Sequence, residues 1–212
     1  MDPLSARSRW ADSVGQGPAR EPCLAAVRAF LCGVEGRISE LEGVERAFAV
    51  EGLSFAARHR GEGRATEWEE PWRSFWAVGA GLAMASGAPG QPSGPEELEG
   101  FGFGMGLLRS GAWRVRVDEP AFAHGLGRSL WFSRAGEPTQ LGRALRAFPT
   151  TSRAEIGRGV AFAAAFSSAT PFAALAGLSA SGAPETALEL GWTLGNSLRA
   201  LIERSAFAPG IG

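Results

Sequence analysis

The chain has 212 residues, with 21 basic and 22 acidic side chains and a formal net charge of −1. That length can bury a substantial core, an apolar content of 45% excludes wholesale disorder, and near-neutrality excludes a general nucleic-acid binder, which needs a basic face. All basic charge is arginine, and 30 glycines stand beside 13 phenylalanines and 7 tryptophans with no tyrosine.

Residues 1–21 are polar, carry Pro3, Gly15, Gly17 and Pro18, and read as a loosely held N-terminal arm ahead of a single domain over 22–212. Helical signals begin at Pro22, which suits a first helical position, with Leu24, Val27, Phe30, Leu31 and Val34 recurring at spacings of three and four. A second helix is expected from about Val44 to Arg58. A third follows Glu67, Glu69, Glu70 and Pro71, whose carboxylates suit a helix start, and runs to about Ala85. Pro and Gly at 86–95 interrupt the helices. A fourth helix is expected from Pro95 to Leu108, and a strand-like stretch over 111–117, where apolar residues alternate with Arg. A fifth runs from Pro120 to about Phe132, and further helices are expected over 138–147, 152–167, 171–180 and 185–205. The chain therefore reads as mainly α, a compact bundle of about eight to nine helices.

Cys23 and Cys32 form no CxxC pair, which excludes a four-thiolate zinc. Nine residues apart on one helix they stand about 13 Å from each other, beyond disulfide reach, and both are expected to be reduced and buried. No basic-then-apolar leader is present, so a cytoplasmic protein is expected. The uncharged stretch between Arg158 and Glu185 is rich in Ala, Gly and Ser and holds Pro171 and Pro184. It reads as two short buried helices rather than a membrane span.

Small residues recur four apart: Gly52 with Ala56, Ala77 with Gly81 and Ala85, Gly100 with Gly104, Gly102 with Gly106, Gly125 with Ser129, Gly157 with Ala161, and Gly191 with Gly195. Such pairs share one helix face and let two backbones approach closely. Each interior glycine costs a helix about 1 kcal/mol against alanine, so these must be offset by tight contact or by an approaching ligand. Similar blocks at 47–52 and 121–125, 78–85 and 157–164, and 98–108 and 188–198 indicate a diverged duplication, with pseudo-repeats at about 22–110 and 118–206.

Walker A, HExxH and GxSxG motifs are absent, and the glycine run at 102–106 lacks dinucleotide spacing. No cofactor or metal site is indicated. His59, among Arg58, Arg60 and Glu62, is expected to be solvated. His124 and Arg128 lie one turn apart on a small-residue helix, and Glu51 holds the comparable place before Gly52. Glu51, His124 and Arg128 therefore form a candidate polar cluster. Phe101, Phe103, Met105, Trp131, Phe162 and Trp192 are the candidate lining of an apolar pocket between the helices.

The segment FAHGLGRSLWF (122–132), followed by Ala147-Phe148-Pro149 and AEIGRGVAFAAAF (154–166), resembles uncharacterised proteins encoded in enediyne biosynthesis gene clusters. Residues 28–33, 50–56, 78–85 and 98–106 resemble that family's earlier blocks in the same order. Ala123 stands where the family pattern is acidic, His124 where it is an amide, and Met105 where a His is common. The resemblance implies a role in polyketide-type natural-product biosynthesis. With it, the residues suggest an accessory protein binding a hydrophobic polyene or polycyclic intermediate, cyclase- or isomerase-like, in which Glu51 or His124 moves a proton and Arg128 steadies negative charge. The alternatives are a non-catalytic assembly partner of a biosynthetic complex, a homodimer among them, or a sequestering self-resistance protein.

Overall fold

The computed structural model describes residues 10–62, 68–108 and 116–205. Among these the regular structure is helical, with no strand: α1 (Arg20–Val34), α2 (Gly43–Arg60), α3 (Trp72–Ser86), α4 (Pro95–Leu108), α5 (Pro120–Arg134), α6 (Pro138–Arg146), α7 (Arg153–Ser168) and α8 (Glu185–Arg204), with 3₁₀ segments Thr150–Ser152 and Phe172–Ser181. The mainly α architecture expected from the sequence is the observed one. The limits follow from local chemistry. Left-handed glycines end α2 (Gly61, φ 71°) and α3 (Gly87, φ 111°). Proline opens α5 and α6, and the Glu137 side chain accepts the backbone N–H groups of Thr139 and Gln140.

Helices adjacent in sequence pack against each other from α1 through α5, then α5 on α7 and α7 on α8, while α8 returns to touch α2 and α6 lies against the 3₁₀ segment. The small residues decide how close they come. Gly33 faces the Ala49 carbonyl while Gly52 faces that of Phe30; Gly81 and Gly100 do the same with Glu97 and Val78. Gly102 and Gly125 face Phe122 and Glu99, and Gly127 and Gly159 face Ile156 and His124. At each of these glycines a methyl group would overlap the facing carbonyl oxygen. Each pair of helices is thus in backbone contact, the geometry that glycine-rich faces allow and that recovers the propensity they forgo.

Aromatic rings fill the space inside this succession. Phe48 of α2 meets Phe132 of α5 (ring centroids 6.0 Å) and Phe166 of α7 (5.7 Å), Phe75 of α3 stacks on Phe166 (5.6 Å), and Phe103 of α4 meets Phe132 (5.5 Å).

Three expectations need correction, and a fourth falls mostly outside the described residues. The N-terminal arm is not loose over 10–21. Trp10 is buried against Phe30 (4.8 Å) and Phe55 (6.0 Å), and the N–H groups of Gly15 and Ala19 donate to the carbonyls of Phe132 and Ala135. One indole supplies enough apolar area to anchor an otherwise polar segment. The helix expected over 171–180 is a largely exposed 3₁₀ run that buries Leu175, Leu178 and Ser181, the threefold spacing that a 3₁₀ turn presents on one side. Cys23 is buried, which pushes its thiol up to about 12, but Cys32 is only half-buried, with Arg37 Nη2 3.5 Å from its sulfur. Most of the strand expected at 111–117 lies outside the described residues, and Val117 is buried in a turn.

Substituting Gly125 or Gly159 by alanine forces the added methyl onto a backbone carbonyl that cannot rotate away. Each change is expected to destabilise by about 2–3 kcal/mol, lowering the thermal midpoint by roughly 5–10 °C. Gly177→Ala, with open space around it, leaves the midpoint unchanged. Thermal melts of the three variants check this.

Candidate functional site

The glycine contacts set side chains as well as helices. Glu51, Glu99, His124 and Arg158 each precede a glycine in sequence, and the carbonyl of each is faced by a glycine of the next packed helix, Gly79, Gly125, Gly159 and Gly191 respectively. One residue type of contact, repeated from α2 to α8, therefore anchors the backbone of four polar residues on four helices.

Three of these residues meet at Arg128, one turn beyond His124 on α5. Arg128 Nη2 donates to Glu51 Oε1 (3.0 Å) and Nη1 donates to Glu99 Oε1 (2.7 Å). His124 Nε2 lies 4.0 Å from the same Glu99 oxygen. The guanidinium also sits over the Phe103 ring, 4.8 Å from its centroid, and 5.7 Å from that of Phe162. Arg158 Nε donates to His124 Nδ1 (3.4 Å), and Arg158 Nη2 pairs with Glu155 (2.5 Å). This hydrogen bond assigns the neutral His124 proton to Nε2, on the side of Glu99.

Burial differs sharply across the cluster. Glu51 is 0% and Arg128 3% exposed, whereas the Glu99 side chain retains 23%. Burial raises the Glu51 carboxyl above its ordinary value, and Arg128 only partly opposes this. For Glu99, burial also works upward, but the positive groups around it, Arg128 and Arg158 together with His124 whenever it is protonated, outweigh it and hold the carboxyl low. Burial, reinforced by Arg128 and Arg158, lowers His124, so its neutral form prevails at neutral pH. Glu51 Oε2 has no hydrogen-bond partner among the described residues, and Glu51 borders a cavity of about 20 Å³ among Phe30, Phe48, Phe103 and Phe132.

On the outer side of the cluster lies an open groove of about 660 Å³. Glu99, His124 and Arg158 form its polar side, and Phe162, Leu194 and Leu198 its apolar side. Among the described residues the space between the helices near Glu51 amounts to that small cavity, because glycine contacts bring the helix axes close and the rings occupy the rest; the candidate ligand volume is this groove at the surface.

The structure brings Glu51, His124 and Arg128 into one network but seals Glu51 and Arg128 behind Glu99, so only His124 of the three borders the groove. Of the candidate lining residues, Phe162 borders it. Phe103, Met105 and Trp131 are buried in the core, the Trp131 indole donating to Ser168 Oγ (3.2 Å). Phe101 is half-buried against Phe122, and Trp192 packs on Phe172 while donating to the Thr170 carbonyl (2.9 Å). Sequence reasoning missed Glu99 and Arg158. Their signal was present: each is a charged residue directly before a small-face glycine, as Glu51 and His124 are before theirs. His59, expected to be solvated, is only partly so: its Nε2 is 2.7 Å from Ser86 Oγ and its ring 4.7 Å from that of Phe55, and burial lowers its pKa. Among the described residues no group of three or more His, Cys, Asp or Glu gathers to hold a metal ion, and no helix is long and apolar enough to cross a membrane.

A family described as a protein of unknown function, DUF1702, matches residues 100–201. The matched span contains His124, Arg128, Arg158 and Phe162, begins directly after Glu99, and leaves out Glu51. Neither a curated protein nor a solved structure matches the chain.

The buried charges yield two expectations. Arg128→Met leaves Glu51 and Glu99 without their shared cation and is expected to destabilise by about 3–5 kcal/mol, read by chemical denaturation. Glu51 carries the opposite pH signature. A carboxyl whose folded pKa is raised keeps a proton that the unfolded chain has released, so its contribution weakens folding as pH rises from the ordinary value of 4.5 toward the raised one. Glu51→Gln removes that loss, and the melting temperature of the variant relative to the parent protein is expected to climb from pH 4.5 upward. A difference that stays flat or falls over that range refutes the assignment.

Proposed function

We propose that the chain binds an apolar, carbonyl-bearing small molecule in the groove between α4, α5, α7 and α8 and moves a proton on it. The observation that carries this reading is the placement of Glu99 beside His124, Nε2 to Oε1 4.0 Å, on the polar side of a groove whose other side is Phe162 and leucines. The ionised Glu99 takes a proton from the carbon next to the carbonyl. The electron pair left behind forms a carbon–carbon double bond, and the carbonyl oxygen gains negative charge that His124 Nε2–H stabilises. Return of the proton from Glu99 to another carbon of the conjugated system completes an isomerisation; in a ring closure the enolate carbon instead attacks a second carbonyl carbon of the same ligand, that carbonyl's π bond breaks, and its oxygen takes the proton back from Glu99. Arg128 serves as a positioning residue: it fixes the Glu99 oxygen, and Glu51 fixes Arg128.

The polyketide class of ligand, a polyene or polycyclic intermediate, rests on the resemblance of residues 122–132 and 154–166 to the enediyne-cluster proteins. A second reading, a non-catalytic assembly partner, is favoured by Leu190, Leu194 and Leu201 of α8, which are 45–48% exposed.

Purified protein is expected to carry an apolar compound detectable by mass spectrometry after denaturation, and to bind the uncharged dye Nile red with a blue-shifted emission. Phe162→Ala and Leu198→Glu each weaken dye binding about tenfold or more, while Glu99→Gln and His124→Ala leave it within about threefold. Protein that carries no such compound and shows no dye binding sensitive to Phe162 or Leu198 overturns ligand binding in the groove and favours the assembly reading.

A further inference from the structure

The groove's charges select among carbonyl ligands. This step rests on the groove being a ligand site, as proposed above. Each cation near it is already matched: Arg158 with Glu155 at 2.5 Å, and Arg128 with both Glu99 at 2.7 Å and Glu51 at 3.0 Å. Glu96 is exposed on the groove edge and makes no ion pair among the described residues. Three carboxylates thus stand against two guanidinium groups: Glu96 and Glu99 on the groove, and Glu155 held against Arg158. The starts of α4 and α5 open on the groove, and a helix N-terminus attracts anions. Here carboxylates of the chain itself stand at both starts: Glu96 and Glu97 occupy the first turn of α4, and Glu119, whose side chain pairs with Arg116 (2.6 Å) rather than capping the helix, directly precedes α5.

An incoming carboxylate would have to enter this negative field and break an existing pair, leaving a displaced carboxylate uncompensated. A neutral carbonyl needs only one donor, and His124 Nε2–H provides it. We infer that the groove takes its ligand with the carbonyl un-ionised, as a ketone, ester, thioester or lactone, and rejects the free acid. The reaction that supplies the ligand must then deliver it with its terminal carboxyl masked as an ester or thioester, or lost by decarboxylation.

Displacement of Nile red by methyl decanoate and by decanoate, at pH 7.5 and below the micellar range, tests this. The two probes share a chain and a carbonyl and differ in ionisation. The ester is expected to displace the dye at a concentration at least tenfold lower. Because an ester is also the more apolar probe, the decisive reading is the change in that ratio. Glu96→Gln, at an exposed site, is expected to lower it at least threefold, Glu96→Gln with Glu99→Gln to lower it further, and added salt to lower it in the parent protein. A ratio unmoved by these changes, or decanoate binding as tightly as the ester, overturns the selection while leaving the groove as a ligand site. Failure of both probes to displace the dye removes the site itself.

Discussion

A single kind of contact governs this molecule: a glycine Cα on one helix lying against a backbone carbonyl of the next. Wherever it recurs, from Gly52 on Phe30 to Gly191 on Arg158, two helices are held at backbone distance and in fixed register along their axes. Register matters because the residue that offers its carbonyl is so often the polar one. Gly79, Gly125, Gly159 and Gly191 meet the carbonyls of Glu51, Glu99, His124 and Arg158. The fold's packing rule and the position of its charged cluster are therefore the same fact, and a change that loosened one interhelical contact would also shift a charge.

Such precision allows an arrangement that is otherwise costly. Burying a guanidinium between two carboxylates gains little over apolar packing unless the geometry is good. Arg128 has that geometry, with hydrogen bonds of 2.7 and 3.0 Å and an aromatic ring below the guanidinium plane. The burden falls unevenly on the two acids. Glu51, sealed among rings with one oxygen unpartnered, is pushed toward its neutral form, while Glu99, partly open and surrounded by positive groups, stays ionised. Two carboxyls on one arginine thus acquire opposite tendencies from their surroundings.

The helices were legible because their signals are local: prolines at 95 and 120, acidic residues at helix starts, and the proline and glycine break at 86–95. The small-residue faces were legible for the same reason, since spacing four is visible along the chain. Legibility stopped where partners had to be assigned across helices. Glu51 and Arg128 are 77 positions apart, and their grouping came from analogy between similar blocks, an argument that left Glu99 and Arg158 unnoticed. Aromatics were misplaced for a related reason. Spacing shows that Trp131 or Phe103 points away from solvent, but not whether it faces a hollow or another ring. The segment around Trp10 shows the limit from the other side, because composition averaged over residues 1–21 hides one indole that docks.

Why the groove opens where it does follows from helix lengths. Pro95 and Pro120 start α4 and α5 at the groove, and no proline-led helix can extend its hydrogen bonding backwards past that point. α8, with 20 residues, is longer than either, and its stretch from Leu194 to Leu201 lines the groove opposite those starts with Leu194, Leu198 and Leu201. Glycine contacts draw the helices together in the interior, and the groove lies where the stack of helices ends. Glu99 and His124 lie one turn inside those proline starts. They are near enough to the end to be reached, and deep enough to be held by the contacts behind them.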